Sequence, residues 1–281
     1  MYIYRKGNSR MINYISGLLL GFLIATIIQF KHKDNEERFF FESIAQSVRR
    51  GRIVFNEDSS IVDALHVTNH LLKIRSQLFE RTNTDRDFLN DGSLSEDLLT
   101  AKGACASYAS VLGELLQTMG FQIRIAQMKV GNKFGGHIIT EVLTSNGWAV
   151  LDASCDLFFT NPQHKLASFK EVSGNWEYYK SQTGKGYEMP YKYSDVRYTN
   201  WDKIPVVMPL LRKILVLTIG SKKVDTISLR SFVLRRYRVY YLLLLLMIGI
   251  YSMVILIKRA IGIRLKILSP ANTRVQPGSI F

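Results

Sequence analysis

The chain has 281 residues, and the roughly 170 between residues 31 and 203 suffice for one domain with a core of its own. Its formal charge of +14 gathers at the ends: residues 1–10 carry +3 and residues 221–281 carry +10, leaving +1 for residues 11–220. A nucleic-acid protein carries its basic stripe on the folded domain, so nucleic acid is not an expected partner, and with only Cys105 and Cys155 neither a disulfide framework nor a four-cysteine metal site is available.

After the basic tail of residues 1–10, residues 11–30 contain no charge and are long enough to cross a bilayer of about 30 Å. No small-residue cleavage site follows, so the segment reads as a retained signal anchor. Residues 60–81 then read as an amphipathic helix with Ser59 or Ser60 as its cap and Ile61, Leu65, Leu72 and Leu78 among its apolar positions. His66 and His70 are four apart on it, a spacing that suits a shared metal. The zinc-protease signature needs Glu after the first His, however, and Val67 stands there, so solvated or core histidines are expected.

From Ala106 to Met119, the apolar residues Tyr108, Val111, Leu112, Leu115, Leu116 and Met119 recur at helical spacing, and Gly120 is suited to end the helix. Cys105 falls in the first turn, where unpaired N–H groups and the helix dipole favour an anion. The thiol there is either a small buried hydrophobe or an activated nucleophile. Gly131–Gly136 joins two strands without leading into a helix, which makes it a hairpin loop bordering any cleft, not a phosphate cradle. His137 opens the following strand, residues 137–143, and Asp152 closes the next, residues 148–152, with a turn at Asn146-Gly147 between them. A connection of two or four residues makes paired positions sum to an odd number near 291. His137 and Asp152 then share a face, opposite or one diagonal apart, within reach of each other. A three-residue loop puts them on opposite faces. Cys155, three residues past Asp152, is either a redox partner of Cys105 or a bystander.

Residues 176–201 are rich in Tyr, Gly and Lys, which suits either a surface for glycan or peptide or an aromatic-stapled loop under the core. Residues 204–238 are apolar in part but carry Arg212-Lys213 and the prolines Pro205 and Pro209, so they read as a linker or interfacial segment. Residues 239–257 form a second charge-free stretch of spanning length, with Tyr240 and Tyr241 near its end as Tyr14 is in the first. Residues 258–281 are a basic tail, unstructured after Lys266.

Three segments agree jointly with one known pattern. Gly103-Ala104-Cys105, Tyr108 three residues on, the Leu-rich helix, Gly120 and then Arg124 resemble the nucleophile helix and following strand of the transglutaminase-like superfamily, a papain-related group of cysteine enzymes. His137 with Glu141-Val142, and Trp148 ahead of Asp152, resemble its His and Asp segments in the right order, over about residues 94–156. The resemblance implies an α+β domain, with a central helix packed on an antiparallel sheet. It implies Cys105 as nucleophile, His137 as general base and acid, and Asp152 as the orienting group, with no metal or organic cofactor. Substrates would be amides or peptides, ending in hydrolysis, deamidation or crosslinking. The rival expectation is a catalytically silent binding module, an accessory of a cell-surface or polysaccharide system. Expected partners are a peptide- or amide-bearing substrate, such as a cell-envelope glycan or protein, and the lipid bilayer. Basic residues flank both spans, so charge leaves orientation open; a domain of this length translocates largely regardless of charge, which favours an extracytoplasmic domain on an inner or plasma membrane.

Overall fold

The computed structural model describes residues 3–50, 56–80, 93–100, 105–184, 187 and 191–268. Gly103 and Ala104 ahead of the thiol lie outside these residues, as does the tail from residue 269 onward. The chain divides into two compact units, one comprising Met1–Lys31 and Arg238–Phe281 and the other His32–Tyr237.

The larger unit is α+β. Its sheet has five strands in the order β4-β3-β2-β1-β5, all neighbours antiparallel. These are β1 (Ile123–Val130), β2 (Lys133–Thr144), β3 (Gly147–Asp152), β4 (Leu157–Phe158) and β5 (Val196–Arg197). On one face lies helix α4 (Cys105–Thr118), the helix expected after the thiol. Its residues Val111, Leu112, Leu115 and Leu116 are buried with Ile123, Ile125, Ile138 and Val142 from the strands. Thr140 Oγ1 donates to the Ala109 carbonyl at 2.9 Å, a polar stitch between helix and sheet. Gly113 lets the two approach: a Cβ there would lie 3.1 Å from Ile125 Cδ1. The helix ends at Gly120, φ +94°, with Gly120 N–H donating to Gln117 and Phe121 N–H to Leu116, the paired closing bonds of a left-handed C-terminal cap.

The β2–β3 hairpin has the parity that a two-residue loop imposes. Thr144 pairs with Gly147 and Thr140 with Leu151, so paired numbers sum to 291, and only Ser145 and Asn146 lie between the strands. The β1–β2 hairpin departs from expectation. Its turn is confined to Gly131 and Asn132, and β2 already begins at Lys133, so His137 lies within a strand and does not open one. The register shifts between Met128↔His137 and Lys129↔Phe134, leaving Gly135 and Gly136 as a bulge. A glycine pair reads as loop in sequence, yet here it serves close packing: a Cβ on Gly136 would fall 2.7 Å from Val130 Cβ.

Helix α2 (Glu57–Glu80) starts three residues earlier than expected, because Asn56, and not Ser59 or Ser60, caps it: Asn56 Oδ1 accepts from Ser59 N–H at 3.3 Å. Helix α3 (Leu94–Thr100) follows. Helix α1 runs unbroken from Ile3 to Arg50, well past the charge-free stretch, since Phe41, Ala45 and Val48 form a helical stripe buried in the core. Near its base the buried Glu37 accepts from Ser95 N–H and hydroxyl at 3.1 and 2.6 Å. Beyond the short helices α5 (Phe169–Gly174) and α6 (Trp176–Lys180), residues 207–232 form α7 (Val207–Ile219), α8 (Ser221–Val224) and α9 (Leu229–Phe232). This segment, expected as linker, is stitched to the sheet: Ser228 Oγ accepts from Ile125 N–H at 3.0 Å and donates to its carbonyl at 2.8 Å. Leu234 is in the core, and Arg235 pairs with the buried Glu114 of α4.

In the smaller unit, the apolar part of α1 meets α10 (Arg236–Leu268) through Phe30 and Tyr240, ring centroids 5.5 Å apart, and through Lys31, whose ammonium donates to Tyr241 Oη at 3.4 Å. Tyr14–Arg50 and Arg236–Lys258 are long and apolar enough to cross a membrane.

Candidate active site

Alternation along β2 sends Ile138 and Thr140 towards α4 and His137, Ile139 and Glu141 to the other face. The sum of 291 puts Asp152 opposite Ile139, one diagonal from His137 and on the same face. Both side chains are buried, His137 2% and Asp152 1% exposed. His137 Nε2–H donates to Asp152 Oδ2 at 2.6 Å. The carboxylate is fully engaged: Tyr193 Oη donates to Oδ2 at 3.2 Å, while Oδ1 accepts from Ser154 Oγ at 2.9 Å and from Cys155 N–H at 3.3 Å.

With Nε2 taken, Nδ1 is the nitrogen left for the thiol, and it is buried without a well-formed hydrogen bond. Cys105, the first residue of α4, is half-buried and near enough to this ring for each to perturb the other's ionisation. Burial resists ionisation of the thiol, but the bond and charge of His137 and the Ile138 backbone N–H outweigh it, so its pKa lies below the ordinary thiol value. Burial likewise opposes the imidazolium, and is overcome by the bonds and charges of Asp152 and Cys105, which raise His137 to about 9. Both shifts, the thiol downward and the imidazole upward, favour the thiolate–imidazolium form that a cysteine nucleophile needs.

Several supports of the site were not singled out in the sequence. Tyr191 stacks on His137, centroids 4.1 Å apart at 18°, and Tyr193 closes beneath Asp152 within a cluster of Phe159, Phe169, Trp176 and Tyr179. Among the described residues of 176–201, the aromatic rings are thus largely staples under the sheet, the second of the two expected roles. Their spacing, Tyr191 and Tyr193 two apart, is the one signal that pointed to a shared direction; which strand they would meet was not encoded locally. Ser154, two residues past Asp152, follows from the turn that ends β3. Arg124, Glu141 and Trp148, which carried part of the resemblance, also meet: Arg124 pairs with Glu141 and its guanidinium lies 4.2 Å from the Trp148 centroid and 4.1 Å from that of Tyr198.

As to metals, His137, Asp152 and Cys155 bring donor atoms within 4.8 Å of one another, the grouping of this kind found among the described residues. The His137 and Asp152 atoms already serve each other. His66 and His70 are exposed, and His66 Nδ1 instead pairs with Asp156 Oδ1 at 2.8 Å. Cys155 is exposed, its sulfur 3.9 Å from Ser154 Oγ.

A helix that begins on a cysteine thus lies on an antiparallel sheet bearing a bonded histidine and aspartate on adjacent strands of an α+β domain. The domain is a transglutaminase-like one: the family model of the Transglutaminase-like superfamily matches residues 59–153, from the first turn of α2 to just past Asp152. No curated protein and no solved structure matches the chain.

Proposed function

We propose that the chain is a membrane-anchored, cysteine-dependent acyl-transfer enzyme acting on amide or peptide-like substrates. The observation that carries this reading is a buried imidazole held at Nε2 by Asp152 on a sheet packed against the helix that begins on Cys105. The Cys105 thiolate attacks the amide carbonyl carbon, and the C=O pair moves onto oxygen. When that oxyanion collapses, the C–N bond breaks and the His137 imidazolium gives its proton to the departing amine, leaving a thioester on Cys105. Water or a second amine, deprotonated by His137, then attacks the thioester and releases an acid or a new amide with the free thiol. Asp152 fixes the ring's tautomer and stabilises its charged form. The first turn of α4 supplies the positive end of a helix dipole to both thiolate and oxyanion.

Helices α1 and α10 are the anchors in this reading, and α7 is an interfacial helix. Its Val207, Leu210, Ile214 and Leu217 recur on one side and are all exposed, Leu217 at 86%, a stripe suited to the headgroup boundary. The catalytic unit faces the extracytoplasmic side.

The test is alkylation of the full chain in a Cys155→Ser background. Iodoacetamide is expected to modify Cys105 rapidly at pH 6–7, and Cys105→Ala to abolish labelling. A Cys105 inert below pH 8 sinks the nucleophile and leaves a silent binding module. For orientation, a membrane-impermeant maleimide applied to intact cells expressing Cys105→Ala is expected to reach the exposed Cys155. Labelling that appears only after lysis places the unit inside.

A further inference from the structure

Beside the nucleophile helix lies a second feature that the triad does not use. A cavity of about 750 Å³ opens between α3, the first turns of α4, and α9, with Ala106, Ser107 and Ser110 of α4 in its wall. Among the described residues, its charged lining is Lys203, Arg230 and Arg236 against one carboxylate, Asp97, which is itself engaged by the Ser107 hydroxyl at 2.6 Å. Among the described residues, the guanidinium of Arg230 forms no hydrogen bond or ion pair within the chain.

A half-buried arginine without a partner is costly, and a second arginine nearby makes it more so. Burial first, and then the charge of Arg236, disfavour the Arg230 cation, whereas Cys105 and Asp97 favour it. Ala106 and Ser107, the two residues that follow Cys105 in α4, line the same cavity as Arg230, so the cavity borders the end of the helix that carries the thiol. Among the described residues, no hydrogen bond or ion pair of the Arg230 head group offsets this cost. A planar fork of donors facing open volume is the arrangement that grips a carboxylate or phosphate bidentately.

We propose that this cavity binds an anionic group of the acyl donor, a carboxylate or a phosphate, with Arg230 as its principal ligand and Lys203 and Arg236 as supporting charges. The substrate is then an amide carrying an acidic substituent, seated so that the acid lies along α4 while the amide carbonyl meets Cys105. The assignment of that acid to an acyl donor rests on the function proposed above; the anion site itself does not.

The full chain in detergent, at low salt, is titrated calorimetrically with glutarate and separately with inorganic phosphate. One of the two is expected to bind the wild type and Cys105→Ala alike, and the tighter one names the acid. Arg230→Gln should weaken binding by about ten- to a hundredfold, the loss of a charge-assisted pair, and Arg230→Lys by less. Because no internal bond is removed, the thermal midpoint of Arg230→Gln should hold or rise, which separates lost binding from lost fold. Failure of both acids to bind, or binding indifferent to Arg230, overturns the site. The bound acid should also slow iodoacetamide alkylation of Cys105 in the wild type and not in Arg230→Gln; unchanged alkylation overturns the link to the acyl donor. A Cys105 that proves unreactive alongside Arg230-dependent binding strikes the nucleophile and supports the anion site.

Discussion

Two titrations of opposite sign meet at the Cys105–His137 pair. His137 is raised to about 9 by Asp152 and Cys105, against the opposing effect of burial, so its contribution to stability is whole below the ordinary imidazole range and is lost as pH climbs through about 9. Cys105 is lowered, so its contribution is present above the ordinary thiol value and is withdrawn as pH falls through the lowered one. Turnover should therefore rise with ionisation of the thiol and fall near pH 9 as the imidazolium is lost. In parallel, the gap in thermal midpoint between wild type and His137→Gln should narrow as pH passes about 9; a constant gap contradicts the raised imidazole. Tyr193→Phe removes one donor from Asp152 Oδ2 and keeps the ring in its cluster. It should cost about 0.5–1.5 kcal/mol in denaturant unfolding. With its charge less dispersed, Asp152 should hold the imidazolium more tightly and move the falling limb upward, an effect that a purely packing role for Tyr193 would not produce.

At the level of the elements, the bulge before His137 is the most exacting piece of backbone. Gly136→Ala would drive a methyl into Val130, 2.7 Å away, in a strand where neither backbone can yield freely. Overpacking of this kind costs about 1–3 kcal/mol. Because the bulge aims His137, slower alkylation of Cys105 should accompany the loss, read by thermal melting and labelling on the same sample. The sequence disclosed much of this architecture. Asn146-Gly147 announced a tight hairpin, and pairing parity then carried His137 and Asp152 onto one face; Gly120 marked the end of α4. The bulge stayed hidden because glycine pairs punctuate turns far more visibly than strands. Asn56 carries the weaker capping signal because Ser59 and Ser60 stand nearer the apolar run. The continuation of α1 to Arg50 depends on Phe41, Ala45 and Val48 finding a core built from residues well downstream, and the roles of Tyr191 and Tyr193 depend on a strand about forty to fifty residues upstream; neither signal is local.

For the whole molecule, the packed unit reaches to Tyr237 and not to residue 203. A fragment ending at residue 203 lacks Ser228, Leu234 and Arg235, and thereby strips the buried Glu114 carboxylate in α4 of its arginine and uncovers the core beside Ile123 and Ile125. Leaving one buried partner of an ion pair costs about 3–5 kcal/mol, enough to unfold a marginal domain. Fragments ending at residue 203 are expected to aggregate or give no cooperative melt, whereas those ending at residue 237 should melt cooperatively; equal behaviour would deny the stitch a structural role. The same stitch sets an order of events during synthesis. Translation must deliver the Ser228 and Arg235 codons before the helix bearing the thiol can settle, and α10 starts at the very next residue. A ribosome that has only just completed the packed unit has thus already begun α10, so the helix bearing Cys105 settles late.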